Sequence, residues 1–356
     1  MATKKARTPK KPQTLPFSNK LVLNLWLISL FGVDVFADSR DAGKPVRPMV
    51  WLSKTLRNTK EGLNEQGLHH FYSELLAHWQ PTALLQKEAL LQYEENISEH
   101  TRILNEKRGA QGRAIEWKYY QWLSLLFTEV YLHQYFSNRD ALLAQLNAFV
   151  NQFNTHWEAK NTPTGITSYT MAELNKVCLQ NATGSGKTLL MHMNFMQFAH
   201  YASAHGGTDD FDRALLITPN EGLSSQHEVE LNLSGVKVER LVLDNNDMFR
   251  SQKGHLGQVN FIEITKLKDA DGPNTIATRN LGNQNVILVD EGHRGFGKSE
   301  ETGWYKQREM LTRNGFAFEY SATFKEAVKA ADNEVIEQAY AKAVLFDYSY
   351  KYFYAD

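Results

Sequence analysis

The sequence predicts an α/β protein, with a parallel sheet between helices preceded by an all-α segment. Three observations carry this. From about residue 18 to 154 the apolar residues recur at helical spacing. After residue 170 the rhythm changes to short apolar runs separated by helical patterns, as in a parallel sheet buried on both faces. The two rhythms meet in a polar stretch, "NTHWEAKNTPTGITS" (154–168), which reads as a linker. At 356 residues the chain exceeds one usual compact core, so two domains are expected.

Composition narrows the class. With 42% hydrophobic and 22% charged residues this is an ordinary globular composition. The formal net charge of −1 gives no overall pull toward nucleic acid, so any basic surface must be local. One local excess is the opening "MATKKARTPKKP", with Lys4, Lys5, Arg7, Lys10 and Lys11 and no acid. It reads as a disordered solubilising tail or as a weak, non-specific phosphate-binding arm. The single cysteine, Cys178, excludes an intrachain disulfide or a cysteine-rich metal site and fits a reducing, cytoplasmic location. The apolar run 21–37, "LVLNLWLISLFGVDVFA", contains Asn24 and Asp34 and is short for a span. A buried helix is expected there, and no membrane association.

The helical segment contains three strong patterns. Residues 83–108 form a charged amphipathic helix that ends at "GAQG". Residues 114–136 are apolar on most sides and should form a central core helix. The next helix follows with Ser137 or Asn138 as N-cap. Trp117, Tyr120, Trp122 and Phe127 fall at helical spacing and read as core rather than as a base-stacking surface. The strand candidates after the linker are 176–180, 214–218, 236–243, 259–264, 285–290 and 317–321.

The chemistry lies at the ends of those strands. "KVCLQ", "NATGSG" and "KTLLMHMNFMQFAHYA" read as strand, tight loop and helix, the setting in which a glycine pattern becomes a phosphate site. Thr183, Gly184, Ser185 and Gly186 would turn backbone N–H groups onto phosphate oxygens above a helix N-terminus. Lys187 would reach the β- and γ-phosphates and Thr188 a Mg²⁺ ion. A strict pattern has glycine where this chain has Asn181. A second strand, "NVILVD", ends in Asp290 and Glu291, carboxylates at the crevice side of a parallel sheet. Asp290 can hold the Mg²⁺ shell and Glu291 can polarise a water.

These residues resemble the superfamily 2 helicases, the DEAD/DEAH-box family in the broad sense. "TGSGKT" is similar to motif I, "DEGH" to motif II in its DExH form, and Ser321-Ala322-Thr323 to motif III. "TPNEGLSSQ" (218–226) is similar to motif Ia, with Pro219, Leu223 and Gln226 matching, and "EITKL" (263–267) lies where a further nucleic-acid motif falls. Within the superfamily, "EGLSSQH", "DEGHRG" and "EYSATF" look most like the motor subunits of type III restriction enzymes. The resemblance covers about 170 to 345 and implies a RecA-like domain using ATP and Mg²⁺. It implies that Asp290 and Glu291 serve metal and water, and that His293 with Ser321 and Thr323 couples the site to motif III. His293 as a lone loop residue stays open. Thr218, Pro219, Asn220, Gln226 and Thr265 would contact a nucleic-acid backbone, DNA favoured.

The resemblance also marks what is not found. Motifs V and VI and an arginine finger are not seen, so a second RecA-like domain or a partner subunit is expected to complete the site. No adenine-contacting glutamine is identifiable, because Gln121 and Gln180 lack the expected surroundings, and no nuclease pattern is evident. The expected division is a basic tail at 1–17, a helical accessory domain at 18–154, a linker at 155–170, the ATP-binding domain at 171–345 and an exit segment at 346–356. The implied function is the ATP-binding half of a translocase or helicase, in a restriction or phage-defence setting. A shortened, nucleotide-gated interaction subunit and a different, oligomeric P-loop ATPase stay as alternatives.

Overall fold

The computed structural model describes residues 15–38, 40–41, 44–79, 82–241, 255–268, 275–294 and 301–348. The basic residues at 4–11 and the segment 349–356 lie outside them. So do positions 242–243 of the third expected strand.

Among the described residues the first half has six α-helices: α1 Val22–Ser29, α2 Pro48–Ser53, α3 His70–His78, α4 Lys87–Ala110, α5 Tyr119–Ser137 and α6 Arg139–Glu158. The apolar run 21–37 is buried but only partly helical. Helix α1 ends at Ser29, and the chain turns through Gly32 at φ 79°. Helix α5 starts five residues later than its apolar pattern. Lys118 is extended, and its N–H donates to the Gln121 side-chain oxygen at 2.9 Å, which caps the helix there. Asn138 caps α6 by accepting from the Ala141 N–H. Trp117, Trp122 and Phe127 are fully buried, whereas Tyr120 is half-buried and stacks on Tyr348 with centroids 3.9 Å apart.

The second half forms a sheet of seven parallel strands among the described residues: β1 Lys176–Asn181, β2 Arg213–Thr218, β3 Lys237–Arg240, β4 His255–Glu263, β5 Val286–Val289, β6 Phe316–Ser321 and β7 Val344–Tyr348. Their order is β7-β1-β6-β5-β2-β4-β3. Helices α7 Lys187–Ala204, α8 Glu221–Leu233, α9 Glu301–Leu311, α10 Phe324–Ala331 and α11 Glu334–Ala343 connect the strands. Alternation along β2 sends Leu216 to one face and Leu215 and Ile217 to the other. The inner strands are largely apolar because both faces are covered, whereas the edge strand β3, KVER, is exposed or half-buried.

Two expected boundaries shift. Val344–Tyr348 pairs in parallel with β1, so the exit segment drawn from 346 begins inside a strand of the sheet. Among the described residues the helical segment shares its core with the sheet: one apolar cluster runs from Leu27, Trp122 and Phe127 through Phe198 to Val177, Leu216 and Phe318. Leu15, inside the expected tail, is buried in the same cluster.

The contact between the halves is polar at its centre. Tyr320 of β6 donates to Asn194 of α7 at 2.8 Å, and Asn194 donates to Gln197 at 2.9 Å. Gln197, Tyr201 and Asn96 of α4 all donate to the Glu129 carboxylate of α5, at 2.7, 2.6 and 3.0 Å. Glu129 is completely buried, and burial pushes its carboxyl up to about 7.

Candidate functional site

The site lies at the C-terminal ends of β1, β5 and β6, where loops of a parallel sheet form a crevice. After β1 the chain passes through Gly184 at φ 84° and Gly186 at φ 88°, left-handed values that side-chain-bearing residues rarely adopt. These turns bring the loop to the N-terminus of α7, whose first residue is Lys187. Thr188 occupies the same first turn. Ser185 is fully buried, and among the described residues its hydroxyl has no hydrogen-bond partner. The same holds for both amide atoms of Asn181, the residue standing where the strict pattern has glycine.

Motif II follows β5. Glu291 sits at φ 54°, a strained value for a residue with a side chain. Its neighbours fix it: Asp290 N–H donates to the Ile217 carbonyl at 3.1 Å, and Gly292 N–H to the Tyr320 carbonyl at 2.8 Å. The buried Arg308 of α9 donates to the Gly292 carbonyl at 2.9 Å and the Arg294 carbonyl at 3.2 Å. The Glu291 carboxylate accepts from Lys187 Nζ at 2.8 Å and lies 3.2 Å from His293 Nδ1. Hydrogen bonding from His293, and then from Lys187, holds its carboxyl down at about 2. His293 Nδ1 is also 2.8 Å from Ser321 Oγ, which accepts from the Thr323 N–H at 3.0 Å. Lys187, Glu291, His293, Ser321 and Thr323 thus form one hydrogen-bonded chain across three strand ends.

Asp290 lies beside this chain. One of its oxygens accepts from the Glu291 N–H at 2.9 Å, and the other is 3.0 Å from His227 Nε2 on α8. The remaining expected residues spread along the neighbouring strand ends. Thr218 and Pro219 are buried, with the Thr218 hydroxyl 2.6 Å from Ser224 Oγ. Asn220 is exposed, but its side chain caps α8 by accepting from the Leu223 N–H at 3.0 Å. Gln226 and Thr265 are exposed. Of the nucleic-acid set, the Thr218 hydroxyl and Asn220 amide are therefore committed to the fold.

Sequence reasoning missed three residues that touch the site. His227 holds Asp290, Arg308 holds the motif II backbone, and Gln121 of α5 donates to the Ser185 carbonyl at 2.9 Å. Gln180, the other glutamine near the loop, donates instead to Asp347 of β7.

A glycine loop at a helix N-terminus, joined by a lysine–glutamate pair to DExH across the intervening end of β6, defines a helicase-type ATPase fold of the RecA-like class. The comparison with known families agrees: residues 134–326, more than half of the chain, match the type III restriction enzyme res subunit. The chain belongs to that family, within helicase superfamily 2. No curated protein matches the sequence. Among the described residues, no helix is long and apolar enough to cross a membrane.

Proposed function

We propose that this chain is the ATP-binding half of an ATP-dependent nucleic-acid translocase or helicase, acting on DNA in a restriction or phage-defence setting. One observation carries the reading: Lys187 of motif I and Glu291 of motif II hold each other at 2.8 Å, with His293 and Ser321 in line behind them.

The residues present fit a nucleoside triphosphate. The two left-handed glycines turn the loop so that its N–H groups can face an anion, and the α7 N-terminus adds a positive partial charge. Lys187 Nζ already donates to Glu291 at 2.8 Å. A polyphosphate entering the loop would compete for Lys187 and leave Glu291 facing His293. Loss of the neighbouring cation raises the carboxylate's proton affinity, which suits it to orient and accept a proton from water. Thr188 and Asp290 would hold Mg²⁺, whose chemistry is to neutralise phosphate charge. His293 and Ser321 would report the state of the site to α10. Exposed Gln226 and Thr265 are the side chains available to a nucleic-acid backbone. A second RecA-like domain, in the same or another polypeptide, would supply the arginine that stabilises transition-state charge.

The test is nucleotide binding and hydrolysis with and without DNA. Lys187→Ala removes one charge-assisted contact, worth roughly 1.5–3 kcal/mol, so ATP affinity should fall by about 10- to 150-fold. Glu291→Gln should bind ATP and not turn it over. Unchanged affinity in Lys187→Ala would sink the reading. Binding without turnover in the native chain would favour the nucleotide-gated subunit or a need for the second domain.

A further inference from the structure

We infer that the helical half sets the nucleotide affinity of the phosphate loop through one side chain, Gln121. This rests on the reading above and adds a positioning residue to it. Gln121 lies in the first turn of α5, is 8% exposed, and both ends of its amide are used. Its oxygen accepts from the Lys118 N–H at 2.9 Å, which starts the helix, and its nitrogen donates to the Ser185 carbonyl at 2.9 Å. The amide also packs on the next residue of the loop. A Cβ added at Gly186 would lie 2.3 Å from Gln121 Nε2, so a side chain there would displace this amide. The other end of the loop is tied to the same turn of α5. Ala182 N–H donates to the Tyr348 carbonyl at 3.0 Å, and Tyr348 stacks on Tyr120, the neighbour of Gln121.

The physical consequence concerns peptide orientation. A carbonyl fixed toward α5 fixes the plane of the Ser185–Gly186 peptide, and therefore the direction of the Gly186 N–H. A loop with two left-handed glycines has many alternative shapes, and each must be given up when an anion binds. The Gln121 bond removes part of that freedom beforehand, so affinity depends on α5 being in place. Anything that shifts the start of α5 then changes nucleotide binding without touching the nucleotide.

The experiment titrates ATP and ADP into the full chain by calorimetry, at pH 8 and pH 5.5. The proteins are the native chain, Gln121→Glu, Gln121→Leu and Lys187→Ala. Gln121→Glu keeps the acceptor for Lys118 but sets a carboxylate oxygen against the Ser185 carbonyl. We expect about a tenfold weaker Kd at pH 8. Relative to the native chain it should recover at pH 5.5, as the new carboxyl gains a proton to donate. Gln121→Leu should be weakened at both pH values. Equal Kd values for the native chain and both Gln121 variants at both pH values would overturn the inference. So would a Gln121→Glu defect with no pH dependence, which marks a merely structural role. If Lys187→Ala weakens binding while the Gln121 variants do not, only this inference is lost. If Lys187→Ala is also silent, the functional reading falls with it. Should Gln121→Leu fail to fold, the pH response of Gln121→Glu decides alone.

Discussion

The packed interior of the helical half and the crevice at the strand ends bury carboxylates in opposite ways. In the helical half, Glu94 is fully buried and accepts from four donors: the His69 N–H, the His69 ring, Ser98 and Trp122. Glu129 accepts from three donors and is equally sealed. In the sheet half, Glu291 keeps 27% of its side chain exposed, and its lysine partner keeps 12%. A sealed, multiply satisfied carboxylate holds helices in register. One half-open against a lysine is a pair that an anionic ligand can take apart. The difference separates architecture from chemistry more sharply than burial alone does.

That contrast can be broken experimentally, beginning with the largest effect. Glu94→Ala leaves four donors without an acceptor and should cost about 3–5 kcal/mol in urea unfolding. Glu291→Gln should cost less than about 1 kcal/mol while removing turnover, because its surroundings are partly hydrated. Equal costs would mean that the site carboxylate is also architectural.

Glu129 gives the next effect, through pH. Its carboxyl titrates near 4.5 when unfolded and near 7 in the fold, so the native chain keeps a proton that the unfolded chain releases. The favourable contribution is complete below pH 4.5 and is lost as pH rises to about 7, by at most roughly 3 kcal/mol. Thermal midpoints of the native chain should fall across this window more than those of Glu129→Gln. Parallel curves would assign the pH dependence elsewhere.

The smallest test compares two helix caps. Asn138→Ala and Asn220→Ala should each cost about 1 kcal/mol, since each removes one side-chain bond to a helix N–H. Because the Asn220 amide is committed to its cap, Asn220→Ala should change DNA binding no more than Asn138→Ala does. Weaker DNA binding by Asn220→Ala alone would return Asn220 to the nucleic-acid set.

The legible parts were those written locally. Strand, glycine loop and helix are consecutive in sequence, as are β5 and the DExH residues, so type and order sufficed. Gln121, His227 and Arg308 carry no such signal, because each meets its motif only through tertiary packing. Gln121 even sits on a helix whose pattern says only core. Strand β7 was hidden for another reason. "VLFDY" is a short apolar run whose identity depends on pairing with β1, and without that partner it reads as connector. The apolar cluster shared by the helical segment and the sheet was not legible either, since periodicity reports each element's buried face but not what covers it.

Cys178 lies in the middle of β1, fully buried, and burial pushes its thiol well above the usual range. It is the single cysteine of the chain. The native fold is therefore a silent background for thiol chemistry, and maleimide dyes will find only cysteines that are added. Exposed Leu63 in the helical half and Val229 on α8 are suitable places for a dye pair. Energy transfer between them would turn the union of the two halves into an optical ruler, read on single molecules as nucleotide comes and goes.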